Sequence, residues 1–263
     1  MKAPALTVRA TDLGKHYLRV HERPMLLREA AMLMAGRRRR VDDLWAVRHV
    51  SFDLHEGETL GVIGANGGGK STLLQLVAGT SFPSEGTIST RGRISTLLAL
   101  GAGFNFDMTG EENIVASAGL LGIPVAEARN RLTKIVEFAE LEDVIDTPIR
   151  YYSSGMMARL GFSIAISVSP DILVVDEVLA VGDLKFQDKC IRAVKELQSR
   201  GITIVVASQA PLFIADFCTR ALWIDGGQPR LFGGADEVAT AYQIEMTGRG
   251  LLDPPPSAVS HQQ

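Results

Sequence analysis

Two apolar runs of strand length stand out along the chain, Thr59-Leu60-Gly61-Val62-Ile63 and Asp171-Ile172-Leu173-Val174-Val175. A run that is apolar at successive positions leaves no face for water, so each predicts a parallel strand buried on both sides. Helical spacing follows the first run, from Ser71 through Leu73, Leu74, Leu76 and Val77 to a stop at Gly79,. It returns between Ala158 and Ile166, and again where Pro124 opens Val125 to Leu132 and continues through Ile135, Val136, Phe138 and Ala139. From Thr109 to Tyr151 the pattern is mostly helical. Nearer the start, Pro24 and Gly36 bracket a predicted helix from Met25 to Ala35, with Leu26, Ala30 and Leu33 at helical spacing,. Beyond Tyr242 the chain drifts into Asp253-Pro254-Pro255-Pro256-Ser257, which predicts a disordered tail over residues 248–263,. These elements predict an α/β fold.

Composition narrows the class. The 263 residues are 46% hydrophobic and 22% charged, with a net charge of −3. No global basic field is present, so nucleic acid is not an expected partner. No apolar stretch approaches the ~18 residues of a membrane span, and the segment from Met1 to Leu6 lacks a signal-peptide core,. A cytosolic chain is expected. Cys190 and Cys218 lack a Cys-x-x-Cys or His partner spacing and read as reduced packing thiols,.

Charge is local instead. Between Arg19 and Arg40 seven arginines face only Glu22 and Glu29, a net of +5. The predicted helix inside this segment would rise about 17 Å, against a hydrocarbon core of about 30 Å, so it cannot cross a bilayer. It can lie at headgroup level with Arg37, Arg38, Arg39 and Arg40 against anionic lipid,.

The chemistry starts after the first buried run. Gly64-Ala65-Asn66-Gly67-Gly68-Gly69-Lys70-Ser71 satisfies G-x-x-x-x-G-K-[ST] at every fixed position, between a predicted strand and a predicted helix,. In such a loop backbone N–H groups turn toward phosphates, the lysine reaches the outer phosphate oxygens, and the hydroxyl is a Mg²⁺ ligand. Alone, the loop leaves kinases, GTPases and motor ATPases open. The second buried run ends in Asp176-Glu177, which places one carboxylate to hold Mg²⁺ beside Ser71 and another to orient and deprotonate a water,. Between the two lies Tyr151-Tyr152-Ser153-Ser154-Gly155-Met156 at a helix start, offering a hydroxyl and N–H groups to an anion,.

Together these motifs resemble the ATP-binding-cassette (ABC) ATPases, and Y-S-S-G-M resembles the subfamily exporting O-antigen, teichoic acid and actinobacterial galactan. Further matches are Leu100-Gly101-Ala102-Gly103-Phe104, Met108 to Ile114, Asp176 to Asp183, and Phe186 to Cys190. The resemblance implies a P-loop nucleotide-binding domain over residues 1–247. It would comprise a RecA-like core, an antiparallel β part, a helical subdomain at residues 104–160, and an inserted basic amphipathic segment at residues 19–45. It implies ATP and Mg²⁺ as cofactors, with Gly64, Asn66, Gly67, Gly69, Lys70, Ser71 and Thr72 at the phosphates and Ser71 and Asp176 at the metal. Tyr17 would stack on the base, and Ser153, Ser154 and Gly155 would bind ATP held by a second copy. Glu177, Lys70 and Gln209 would serve catalysis.

The implied partners are that second copy, a polytopic membrane permease and an anionic membrane surface, at the cytoplasmic face of the cell membrane. The implied function is ATP-driven export of a lipid-linked polysaccharide; a small-molecule transporter or a soluble cassette ATPase are the alternatives. Two departures from the family pattern bear on turnover. Gln209 stands where most cassettes carry a histidine, and Ala99 lies where a glutamine is usual.

Overall fold

The computed structural model describes residues 4–20, 41–98, 100–101, 103–176 and 182–250. Two sheets form the frame. Strands β1 (Leu6–Val20), β2 (Val41–His55) and β4 (Glu85–Thr90) make an antiparallel sheet ordered β2-β1-β4. A six-stranded sheet is ordered β5-β6-β7-β3-β8-β9, from β3 (Thr59–Ile63), β5 (Ile94–Thr96), β6 (Ile172–Val175), β7 (Thr203–Ser208), β8 (Arg220–Asp225) and β9 (Gln228–Gly234). Its pairings are parallel except β8 with β9.

The apolar runs are apolar because both faces of the large sheet are covered. Along β6, Ile172 and Val174 enter one core cluster, and Leu173 and Val175 enter the other. Strand β7 repeats the alternation, with Val205 and Ala207 opposite Ile204 and Val206. One side is filled by α1 (Lys70–Val77) and the inner face of the antiparallel sheet, through Leu73, Leu74, Val8, Leu13, Val50 and Leu54. The other is filled by α5 (Leu184–Ser199), α6 (Pro211–Phe217) and α7 (Ala235–Gly248), through Phe186, Cys190, Ile214 and Tyr242.

A helical layer of α2 (Gly110–Leu120), α3 (Val125–Ala139) and α4 (Ser154–Ser167) has its own core of Ile114, Ile135, Ile149, Leu160 and Ile164. Helix α2 starts at a capping box in which Thr109 and Glu112 satisfy each other's backbone N–H,. Helix α4 belongs to both layers, since Phe162 and Ala165 on the same helix pack into the sheet core. The boundary expected at residue 160 therefore falls inside a continuous helix.

The inserted segment also begins later than its sequence suggests. Register pairs Tyr17 with Leu44, Arg19 with Asp42 and Val20 with Val41, so residues 19–20 and 41–45 continue a hairpin whose backbone groups satisfy each other,. The predicted helix at residues 25–35, and Arg37 to Arg40, lie outside the described residues, as does the tail from residue 251. Among the described residues no helix is long and apolar enough to cross a membrane.

Candidate functional site

Parallel pairing decides where the site forms. Ile63 pairs with Ser208 and Val175 with Val206, so β3, β6 and β7 end on one edge of the sheet. From that edge leave the loop Gly64–Ser71, Asp176 and Gln209. Such an edge, at the carboxyl ends of parallel strands, is where open α/β sheets bind ligands.

Close backbone approach shapes the loop. A Cβ on Gly64 would sit 2.2 Å from the Ile224 carbonyl oxygen, and one on Gly69 would sit 2.2 Å from that of Ala46. Gly69 is also the N-cap of α1 at φ 103°, a left-handed conformation that side chains oppose,. Held this way, the first-turn N–H groups of α1 point out of the helix end with their partial positive charge. Lys70 is buried, and its Nζ donates to the carbonyl oxygens of Gly64 at 2.8 Å and Ala65 at 3.0 Å.

Two residues distant in sequence, Asp176 and Gln209, reach this loop. Ser71 Oγ donates to Asp176 Oδ2 at 3.0 Å. A hydroxyl and a carboxylate are the hard oxygen donors that suit Mg²⁺, which takes few protein ligands and completes its shell with phosphate and water. Gln209 Nε2 donates to Asn66 Oδ1 at 2.9 Å, which keeps that side chain beside the loop. Glu177 lies outside the described residues.

The loop is roofed by a residue that sequence reasoning overlooked. A cavity of about 240 Å³ is lined by Asn66, Gly67, Lys70, Ser71 and Thr72 below and by Trp45 of β2 above. The Trp45 indole has the His16 ring tilted beside it, 5.0 Å between centroids, and the Arg48 guanidinium 4.2 Å from its own centroid. Arg48 is fixed in turn by Glu85 through Nε and Oε1 at 2.8 Å. Tyr17 pairs in register with Leu44, a lining residue, but is itself 40% exposed, has the Lys15 ammonium 5.3 Å from its ring, and is not among the residues lining this cavity. The signal for Trp45 was strand register, because His16 pairs with Trp45 across the long insert.

Ser153, Ser154 and Gly155 open α4. Ser153 Oγ caps the helix by accepting from the Met156 N–H at 3.2 Å, and Ser153 and Ser154 are exposed. None of the three lines the cavity over the loop. Further along α4, Arg159 pairs with Glu140 at 3.3 Å and with Asp183 at 2.9 Å. Hydrogen bonds hold both carboxyls below their usual range, from Lys189 to Glu140 and from the Phe186 N–H to Asp183, with the Arg159 charge adding to each. Burial pushes the thiols of Cys190 and Cys218 up to about 12.

A parallel sheet with helices on both faces, a glycine loop at its carboxyl edge, and a serine–aspartate pair beside that loop define a P-loop nucleotide-binding cassette. A family model described as "ABC transporter" matches residues 47–180. The O-antigen export system ATP-binding protein RfbB of Klebsiella pneumoniae is 44% identical over 219 residues, which is 83% of this chain and 87% of that protein. The teichoic acids export ATP-binding protein TagH of Listeria innocua is 40% identical over 210 residues, 80% of this chain and 62% of that protein. Among solved structures, the ATP-binding cassette MJ0796, dimeric in a post-hydrolysis state bound to ADP and Pi, superposes with a TM-score of 0.67 at 20% identity. It covers 87% of this chain and 98% of its own. The chain belongs to the ABC transporter family.

Proposed function

We propose that this chain is the ATP-binding and hydrolysing subunit of an exporter that moves a lipid-linked polysaccharide across the cell membrane. The observation that carries the ATPase half is Ser71 Oγ within 3.0 Å of Asp176 Oδ2 at the mouth of the Gly64–Ser71 loop. Lys70 and the first-turn N–H groups of α1 would hold the phosphates. Ser71 and Asp176 would hold Mg²⁺, which supplies charge neutralisation between the outer phosphates when bound. Trp45 offers its face to the base, and Gln209, steadied by Asn66, is a donor toward the outer phosphate. Glu177 is assigned the base that orients the attacking water, from its position in sequence next to Asp176.

The polysaccharide half is supported by the relatives named for O-antigen and teichoic acid export. Exposure of Ser153 and Ser154, away from the cavity of their own chain, supports a homodimer in which each copy closes the other's site. A groove of about 530 Å³ between the sheet edge and the helical layer, lined by Leu98, Leu100, Phe104, Leu120, Leu121 and Ile164, supports a seat for the membrane permease. Ala99, the family's glutamine position, lies outside the described residues between Leu98 and Leu100 of that groove. The arginines Arg37 to Arg40 directly precede Val41 in sequence, and each would add about 1 kcal/mol against anionic lipid at the cytoplasmic face,.

Depletion of the protein in its native cell tests the proposal. Lipid-linked glycan is expected to accumulate on the cytoplasmic side, and Lys70→Ala is expected not to relieve it. Loss of uptake or efflux of a small solute, with no glycan accumulation, would overturn the polysaccharide assignment.

A further inference from the structure

Around Arg159 three helices and the loop before α5 meet at one side chain. It leaves α4 six positions after Ser153, the residue that caps that helix. Its guanidinium pairs with Asp183 at 2.9 Å, the N-cap of α5, and with Glu140 at 3.3 Å, the left-handed C-cap of α3. It lies 4.9 Å over the Phe186 ring. Gly182 lies close by, since a Cβ at that φ +74° position would stand 3.2 Å from Arg159 Nε. Glu140 is clamped again by Lys189 of α5 at 3.0 Å, and Lys189 also donates to the Phe138 carbonyl at 2.8 Å. The guanidinium is planar and multidentate, so it fixes directions as well as distances. Its side chain is 20% exposed.

Resting on the dimeric reading above, we infer that Arg159 is a positioning residue that locks the Ser153-Ser154-Gly155 helix start to Gly182-Asp183 and to the end of α3. The serines that meet the second copy and the chain that returns from the acidic strand then move as one body. A displacement of the helix start by the second copy would thereby reach Gly182-Asp183. Uncoupling should lower turnover without weakening the grip of Lys70 on ATP.

The test compares Arg159→Ala, Arg159→Lys, Asp183→Asn and the double variant Arg159→Ala with Asp183→Asn. Asparagine caps a helix as well as aspartate does, so Asp183→Asn removes the charge and leaves the α5 start intact. Each is assayed for ATP binding by calorimetry, for ATP-dependent dimerisation by analytical ultracentrifugation, and for kcat and KM per competent binding site. Expected results are ATP affinity within about 2-fold of the parent, kcat down about 10-fold or more for Arg159→Ala, partial recovery in Arg159→Lys, and a double variant no worse than Arg159→Ala alone. Independent, multiplying losses in the double variant, or an unchanged kcat in Arg159→Ala, would overturn the coupling while leaving the dimer standing. A parent that binds ATP and never dimerises would overturn the dimeric reading and this inference with it.

Discussion

Ser71 Oγ donates to Asp176 Oδ2 at 3.0 Å across 105 residues of sequence. One group heads a helix and the other ends a strand, and parallel register between β3, β7 and β6 brings them to the same edge. Asp176→Asn keeps the shape and removes the charge that suits a divalent cation. The parent is expected to lose roughly tenfold in ATP affinity, about 1.4 kcal/mol, when EDTA removes Mg²⁺. Asp176→Asn in Mg²⁺ should bind about as the parent does in EDTA, and should respond little to the metal. Calorimetric titrations with and without EDTA check this, and a full metal response in the variant would refute the assignment.

Trp45 and Tyr17 make competing claims on the base. Trp45 lines the cavity over the loop with His16 and Arg48 beside it, whereas Tyr17 is 40% exposed and does not line it. Stacking of a base on an aromatic ring is worth about 1–3 kcal/mol by truncation. Trp45→Ala is expected to weaken ATP binding roughly 5- to 150-fold, and Tyr17→Ala by less than about 2-fold. Trp45 fluorescence gives a direct readout, since the other tryptophan, Trp223, is buried. Nucleotide should quench the parent, and a larger loss from Tyr17→Ala than from Trp45→Ala would restore the tyrosine.

The fold was legible where burial forces a pattern. Thr59–Ile63 reads as a strand because both of its faces are covered, and the structure ends it at the same residues. The second run shortens to Ile172–Val175, since Asp171 instead accepts the Arg93 N–H and turns the chain. Proximity of Ser71 and Asp176 followed from two local facts, a loop after one strand and a carboxylate after another. The wall facing the loop was harder, because Trp45 arrives through pairing with His16 across a long insert whose length hides the register. The Arg159 junction was illegible for a related reason: Asp183 and Lys189 fall in matched stretches, but nothing along the chain pairs them with Glu140 and Arg159 until three helices bring them together.

Burial decides the behaviour of the two cysteines. Cys190 is packed in the sheet core, Cys218 is 8% exposed, and loss of solvation lifts both thiols to about 12. The reactive species is the thiolate, and at pH 8 almost none exists. Folded protein is expected to leave both thiols unmodified by a chromogenic disulfide over minutes, and to release both on unfolding in guanidinium. Rapid modification of either thiol in the folded state would show that the core around α5 or α6 opens far more readily than its packing implies.

Acid should weaken the junction of α3, α4 and α5. Glu140 and Asp183 have ordinary values of 4.5 and 3.8 and are held lower in the folded chain. Glu140 faces Lys189, Arg159 and Lys185; Asp183 accepts from the Phe186 and Lys185 N–H groups and faces the Arg159 and Lys185 charges. A depressed folded value means that the unfolded chain binds protons first as pH falls. Their stabilisation is therefore complete above about pH 4.5 and is lost as pH drops through the folded values. Because both carboxylates are largely exposed, solvent screening keeps the effect small, and it should be clearest at low salt. Urea unfolding midpoints at pH 6 and pH 3 measure it. The double variant Glu140→Gln with Asp183→Asn should be less stable than the parent at pH 6 and by a smaller margin at pH 3. An equal deficit at both values would mean that the two carboxylates contribute through shape and hydrogen bonding rather than through charge.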